Sequence, residues 1–409
     1  MADQEQRILV NEDLRPAYYD DFHCLAEECR YSCCKDWLIS FDKKDYLRLK
    51  QQKGSPEFNV RMEGAIHRIR KDPPAGHYGA FDMHTGVCPL LREDCLCDLQ
   101  VEKGAEALPM VCQTFPRREY YSPGYLERSL TPACEGVLAF LWNLPEGIEF
   151  RSDTLRPDQK KIIFFHEKNL LSPYFTIIRE WCIDVLQDRR HSLPDRIMML
   201  GMGLRQLADG EQDLPSWLHR AREIPEDTNQ ILPLVPEHRA LQEYLSNCLG
   251  ILMGMAAKNQ NFHELRNEIF KGLGVKLTYD GWERLDATIQ LNLYQEASKR
   301  YADCFGDRDY FLENLMVTLF FHLSLPDLSS PERIWKSYAN FCSLYSMYRF
   351  MSVMSCRKEV TDEKAELLRL MVYTSRSLIH NQMLQSRLQD ELFQNNSSTL
   401  AHMAILLCG

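Results

Sequence analysis

The hydrophobic pattern divides the chain into two stretches of different character. From about Glu135 onward, apolar residues recur every three to four positions in blocks separated by proline and glycine, the signature of amphipathic and buried helices. This periodicity predicts helices over Gln159 to Leu171, Tyr174 to Arg189, Asp195 to Ala208, Glu237 to Lys258, Phe262 to Gly272 and Gly281 to Phe305. It continues with Tyr310 to Leu325, Glu332 to Arg357, Asp362 to His380 and a final pair after Asn381. Pro194 opens one of these and Gly210 closes it, the usual asymmetry of helix ends.

The first third reads differently. Ile8, Leu9 and Val10 fall in an extended lead-in, and Trp37 to Phe41 alternate as a short strand would. Asp42 caps a helix over Lys43 to Gln52, reinforced by Asp45, and Glu57 to Arg70 forms a second. Between positions 78 and 134 glycine and proline recur so often that long helices are excluded. The expected fold is mainly α: a cysteine-rich α+β or irregular domain over 1–147, then an all-α domain over 148–409, divided near Leu144-Pro145-Glu146-Gly147.

Cysteine placement sharpens the division. Nine of fifteen cysteines lie between positions 24 and 134, and Cys24, Cys29, Cys33 and Cys34 occupy eleven residues. The opening sequence lacks a secretory leader and no apolar run approaches the roughly 18 residues of a membrane span. The chain is therefore expected to be cytoplasmic, with no membrane partner, and clustered thiols in a reducing compartment point to metal or redox chemistry. Eight or nine thiols can supply two closed zinc sites, or one iron–sulfur cluster with thiols left over; the spacing alone leaves both open. Cys29, Cys33 and Cys34 reproduce the first separation of the radical S-adenosylmethionine motif and miss the second, which argues against radical chemistry. A net charge of -10 makes nucleic acid an unlikely partner. It would suit a lysine-bearing substrate, though solubility explains it as well.

Other features read as structural. His23 and His84 flank the thiols as surface or packing residues, and Gly201-Met202-Gly203 lies in a helical pattern without the strand a nucleotide loop needs. Met198, Met199, Met202 and the stripe Phe341, Tyr345, Tyr348 have core spacing, while Arg117-Arg118 is a candidate anion contact.

Taken jointly, Phe22-x-Cys24-x4-Cys29-x3-Cys33-Cys34-x2-Trp37-x-Ile39, Cys88-Pro-Leu-Leu, Leu96-Cys97-x-Leu-Gln100, Leu108-Pro-x2-Cys112-x2-Phe115-Pro-Arg117, Glu127-x-Ser129-Leu130 and Cys134 resemble the flagellin lysine-N-methylase family. That family sits within a wider group of cysteine-cluster proteins described as zinc- or iron-chelating. The resemblance covers residues 22 to about 136 in motif detail and the helical remainder in length and character. It implies methyl transfer from S-adenosylmethionine to flagellin lysines by an enzyme containing a 4Fe-4S cluster. It further implies ligands drawn from Cys24, Cys29, Cys33, Cys34, Cys88, Cys97, Cys112 and Cys134. Cys95 departs from the pattern and is read as a spare thiol. Tyr31, Asp36 and Asp42 are candidate bases, and Trp37 a candidate face for a cationic group. The alternative is a non-catalytic zinc- or iron-binding adaptor.

Overall fold

The helix Pro331–Ser355 organises the larger part of the molecule. Nineteen of its 25 residues are buried, because it carries apolar side chains around its whole circumference. Ser330 caps it by accepting from Arg333 N, with Pro331 in the first turn. Around it pack Leu193–Ala208, Glu363–Ile379, Ala287–Phe305, Glu237–Gly254, Tyr310–His322 and Leu400–Leu407. The computed structural model describes residues 5–71, 75–166, 174–210, 213–224, 237–255, 260–278, 281–283, 286–379 and 399–409. Among these, no helix is long and apolar enough to cross a membrane.

The front of the chain is α+β, as its breaker-rich composition requires. A four-stranded sheet has the spatial order Arg117–Tyr121, Tyr125–Leu130, Glu12–Pro16, Phe150–Arg151, with Glu12–Pro16 parallel to Tyr125–Leu130 and the other pairs antiparallel. A three-stranded sheet runs Ser40–Phe41, Gly79–Phe81, Ile66–Arg68. Ile39, Phe41, Leu49, Phe58, Phe81, Leu90 and Leu99 form a small separate core beneath it. Tyr18, Phe22, Leu130 and the helix Glu135–Trp142 instead join the large helical core.

The buried pair Arg179 and Glu127, 2.6 Å apart, fastens the four-stranded sheet to the helices, and Arg179 also donates to Phe321 O at 2.7 Å. Ser129 Oγ lies 2.9 Å from His322 Nδ1. Arg118 donates to His322 O and, at 3.1 Å, to Ser324 Oγ. Arg118, a candidate anion contact by sequence, thus serves the same junction, and Glu127 and Ser129 of the sequence motif are fasteners too.

Three sequence expectations need correction. The helix begun at Glu57 is Pro56–Met62 and stops because Gly64 takes a left-handed φ of 77°, after which Ile66–Arg68 is a strand. Where a helix was expected over Gln159 to Leu171, Lys161–His166 is a strand paired with Glu5–Val10, Ile163 opposite Ile8. Its β-branched and aromatic run favours that state, and positions 167–171 lie outside the described residues. Gly281–Glu283 is a strand, and the following helix is Ala287–Phe305, capped by Asp286. The helix Leu214–Glu223 was not anticipated. Of the final pair, Leu400–Leu407 is described and the rest lies outside the described residues.

Met198, Met199, Phe341, Tyr345 and Tyr348 are buried, as their spacing implies, and Met202 packs partly buried against the same core. Gly201 and Gly203 permit close approach: a β-carbon would lie 2.2 Å from Tyr338 at the first and 2.4 Å from Trp181 at the second. Gly203→Ala should therefore cost about 1–3 kcal/mol through overpacking. Gly250→Ala, where a β-carbon meets nothing within 4 Å of an exposed helix position, should be neutral or stabilising by up to about 1 kcal/mol. Denaturant melts of the two variants check the contrast.

Candidate functional site: a nest of cysteine thiols

Five separate segments bring thiols into one region. Cys34 and Cys88 lie on paired backbones: Cys88 N donates to Cys34 O at 2.8 Å, Lys35 pairs with Val87, and Asp36 N donates to Gly86 O at 2.8 Å. Cys97 is brought back by the bridge of Leu91 to Cys97 and by Asp98 N donating to Leu90 O at 2.7 Å. Cys112 lies on the five-residue helix Met110–Thr114. Asp45 accepts from Met110 N at 2.7 Å, and Arg48 donates to Leu108 O at 2.6 Å. Cys34, Cys88, Cys97 and Cys112 all pack within the small core.

The other thiols face the helical body. Cys134 caps Glu135–Trp142, and Cys29 lies across from it. Cys33 stands between the two groups. Its sulfur meets Cys34 and is near enough to Cys29, Cys97, Cys112 and Cys134 to raise their thiols. Cys34 also meets Cys88, and Cys24 reaches Cys134. Cys95 adopts a φ of 64° in the turn between Arg92 and Leu96. His23 bonds Asp21 O at 2.8 Å and His84 pairs with Asp82 at 3.0 Å, as surface residues do.

Two buried charged residues hold this backbone, and sequence reasoning missed both. Glu135, 3% exposed, accepts from Arg30 N at 2.7 Å, Tyr31 N at 3.0 Å and Arg30 Nε at 2.8 Å. It thereby ties the Cys29 segment to Cys134. Arg376, on Glu363–Ile379, donates to Tyr31 O at 2.5 Å, Ala133 O at 3.2 Å and Lys35 O at 3.3 Å. Its guanidinium covers the Trp37 ring at 5.5 Å. Trp37 in turn donates to Cys33 O at 2.6 Å and meets Phe115 edge-on at 5.0 Å. One signal was available for Arg376: Leu368 and Val372 precede it at four-residue intervals on a buried face, an unusual place for a charge. Nothing in the pattern marks Glu135.

Burial pushes up the thiols of Cys29, Cys97, Cys112 and Cys134. Cys29 is pushed up to about 12 by burial and then by Glu135. Burial raises Cys134 to about 11, against the first-turn amides of Val137 and Gly136, and likewise raises Cys97 against those of Gln100 and Leu99. A bound metal reverses this balance, because its positive charge draws the protons off. The donor set is soft, mostly half-buried and rich in sulfur, with two cysteines at helix starts whose amides favour thiolate; such a set fits zinc or iron–sulfur ligation. Among the described residues, no three His, Cys, Asp or Glu side chains close on a single ion position. Zinc at about 2.3 Å from each sulfur would draw four to within about 4 Å of one another, whereas a four-iron cluster takes its thiolates at outer corners.

Glu135→Ala should cost about 3 kcal/mol, since it removes the acceptor of two backbone amides; Glu135→Gln should cost less. Denaturant titration checks both. The raised thiol of Cys29 means that the folded metal-free state binds this proton more tightly than the unfolded chain. That stabilisation is present below the ordinary thiol pKa and is lost as pH rises from about 8.5 toward about 12. Melting temperatures of metal-free protein should fall across that window.

Comparison with known proteins places this chain. The FliB lysine N-methylase C-terminal domain matches residues 179–406, more than half of the chain and most of its helical part. The lysine-N-methylases of Salmonella typhimurium and Salmonella choleraesuis are each 32% identical over 142 residues, 34% of this chain and 35% of the relative. The flagellar biosynthetic protein FliU of Salmonella muenchen is 31% identical over 135 residues, 32% of this chain and 78% of the relative. The matched stretch thus spans about a third of the two lysine-N-methylases. No solved structure matches. The helical part of the chain, on which the sequence motifs are silent, carries the family match, and the chain belongs to the FliB lysine N-methylase family.

Proposed function

We propose that the protein is a protein-lysine N-methyltransferase that uses S-adenosylmethionine and acts on flagellin. We further propose that thiols drawn from Cys24, Cys29, Cys33, Cys34, Cys88, Cys97, Cys112 and Cys134 hold a 4Fe-4S cluster. The family match over residues 179–406 carries the reading. The names of the relatives support a flagellar substrate, and the residue types and burial of the thiol nest support the cluster.

The sulfonium of S-adenosylmethionine, when bound, supplies an electrophilic methyl group. The chain must then desolvate the lysine, take its proton and align nitrogen, carbon and sulfur. Of the three candidate bases, Asp42 caps the helix Lys43–Lys50. Tyr31 donates to Ala365 O at 3.3 Å and is raised by burial. Asp36 is buried beside the thiols and accepts from Tyr373, which makes it the favoured proton acceptor. Trp37 already carries Arg376 over its ring, so at most one face remains for a cationic group. An iron–sulfur cluster, when bound, would cross-link segments that otherwise rest on loops. Affinity for S-adenosylmethionine with and without the cluster tells whether it also places the cofactor.

Protein purified without air should contain iron and labile sulfide, and with methyl-labelled S-adenosylmethionine it should label lysines of flagellin. Bound metal without label transfer would favour the adaptor reading. Cys29→Ser and Cys33→Ser should lose metal and destabilise the front of the chain, whereas Cys95→Ser should keep both; metal analysis and circular dichroism decide. Asp36→Asn should lower turnover by about 10²- to 10⁴-fold while metal content stays unchanged.

A further inference from the structure

Among the described residues three arginines are buried: Arg179, Arg196 and Arg376, at 2%, 5% and 4% exposure. Arg179 pairs with Glu127 at 2.6 Å and Arg196 with Glu313 at 2.8 Å. Arg376 breaks the pattern. Its donors all go to carbonyl oxygens of Tyr31, Lys35 and Ala133, and among the described residues no carboxylate lies within ion-pairing range of it. Asp36, which shares Tyr373 as a neighbour, bonds that tyrosine instead.

A guanidinium cannot shed its proton, and a charge withdrawn from water needs a counter-charge nearby. Carbonyl dipoles supply part of that requirement. The Trp37 ring, 5.5 Å from the guanidinium, supplies a further part, and the thiol of Cys33 lies on the same segment, between the Tyr31 and Lys35 carbonyls that Arg376 holds and with its own carbonyl accepting from Trp37 Nε1 at 2.6 Å. Neutral thiols provide no negative charge, whereas thiolates bound to a metal centre carry a net excess of it. The contacts also have a geometric meaning. Tyr31 and Lys35 bracket Cys33 and Cys34, and Ala133 precedes Cys134, so one planar group sets the spacing between two thiol-bearing segments.

We propose that Arg376, contributed by the helical part of the chain, is the counter-ion and positioning residue of a metal–thiolate centre that includes Cys33. This rests on the metal-centre reading above. The positive charge stabilises the more negative, reduced state of the centre and so raises its reduction potential, and the three carbonyl contacts hold the ligand segments in register. Lysine keeps the charge but lacks the planar fork.

The test compares wild-type protein, Arg376→Lys and Arg376→Gln, all purified without air, by iron and sulfide content, thermal melting and a reductive titration followed by electron paramagnetic resonance. Both variants should melt lower than wild type. Arg376→Gln should lose iron several-fold, and its remaining cluster should have a more negative potential. Arg376→Lys should keep a potential near that of wild type. Equal potentials and equal iron in all three would overturn the proposal and leave the cluster assignment standing. Wild-type protein without iron or sulfide would instead overturn the cluster assignment, and this inference with it. Should Arg376→Gln fail to fold, Arg376→Lys decides alone: cluster retained at an unchanged potential supports the charge role. A cluster lost from a folded helical body overturns it.

Discussion

Buried carboxylate and guanidinium groups hold polypeptide that no regular secondary structure would hold. The thiol-bearing segment from Cys24 to Cys34 consists of turns and a single 3₁₀ turn, so apart from Cys34 O, which accepts from Cys88 N, its backbone amides and carbonyls lack ladder partners. Glu135 takes two of those amides, and Arg376 takes two carbonyls there and a third at Ala133. Unmade backbone hydrogen bonds in a buried region are expensive, so these two side chains do for the loops what repeated pairing does for a sheet. Through them the segments that carry Cys29, Cys33 and Cys34 are tied to Cys134.

The same device recurs at the seam between sheet and helices. Arg179 and Glu127 are both withdrawn from solvent, and Phe321 contributes its carbonyl and its ring to the same arginine. Ser129 meets His322 two residues further along the strand. Polar pairs of this sort add little net stability over well-packed apolar residues, yet breaking one is costly. They specify which surface of the sheet meets which helix. The front third is thus not a free-standing module resting on a helical block. Its strand Tyr125–Leu130 and helix Glu135–Trp142 are part of the block's own packing.

Helix positions were legible where periodicity and caps agreed. Pro194 and Gly210 bracket the helix Leu193–Ala208, and Asp42 accepts from Asp45 N at the start of Lys43–Lys50, as the sequence implies. Lys161–His166 misled because four consecutive large apolar residues carry no period, and its pairing with Glu5–Val10 is set about 150 residues away. The thiols that cluster in sequence also gather in space. Their supports were not legible in the sequence. A glutamate after a cysteine and an arginine on a distant helix acquire meaning only from the partners that folding supplies, and local pattern contains no trace of a contact 345 residues long.

That separation bears on the order in which the molecule is made. Strand Glu12–Pro16 lies between Tyr125–Leu130 and Phe150–Arg151, so it stays an open edge until the ribosome has passed position 151. Arg376 emerges later still. A nascent chain carrying the first nine cysteines therefore exposes them, incompletely ordered, for most of translation, at risk of oxidation or of capture by whatever ion arrives first. Closure of the nest belongs to the finished polypeptide, because the arginine that sets the spacing of its segments is among the last parts to be made.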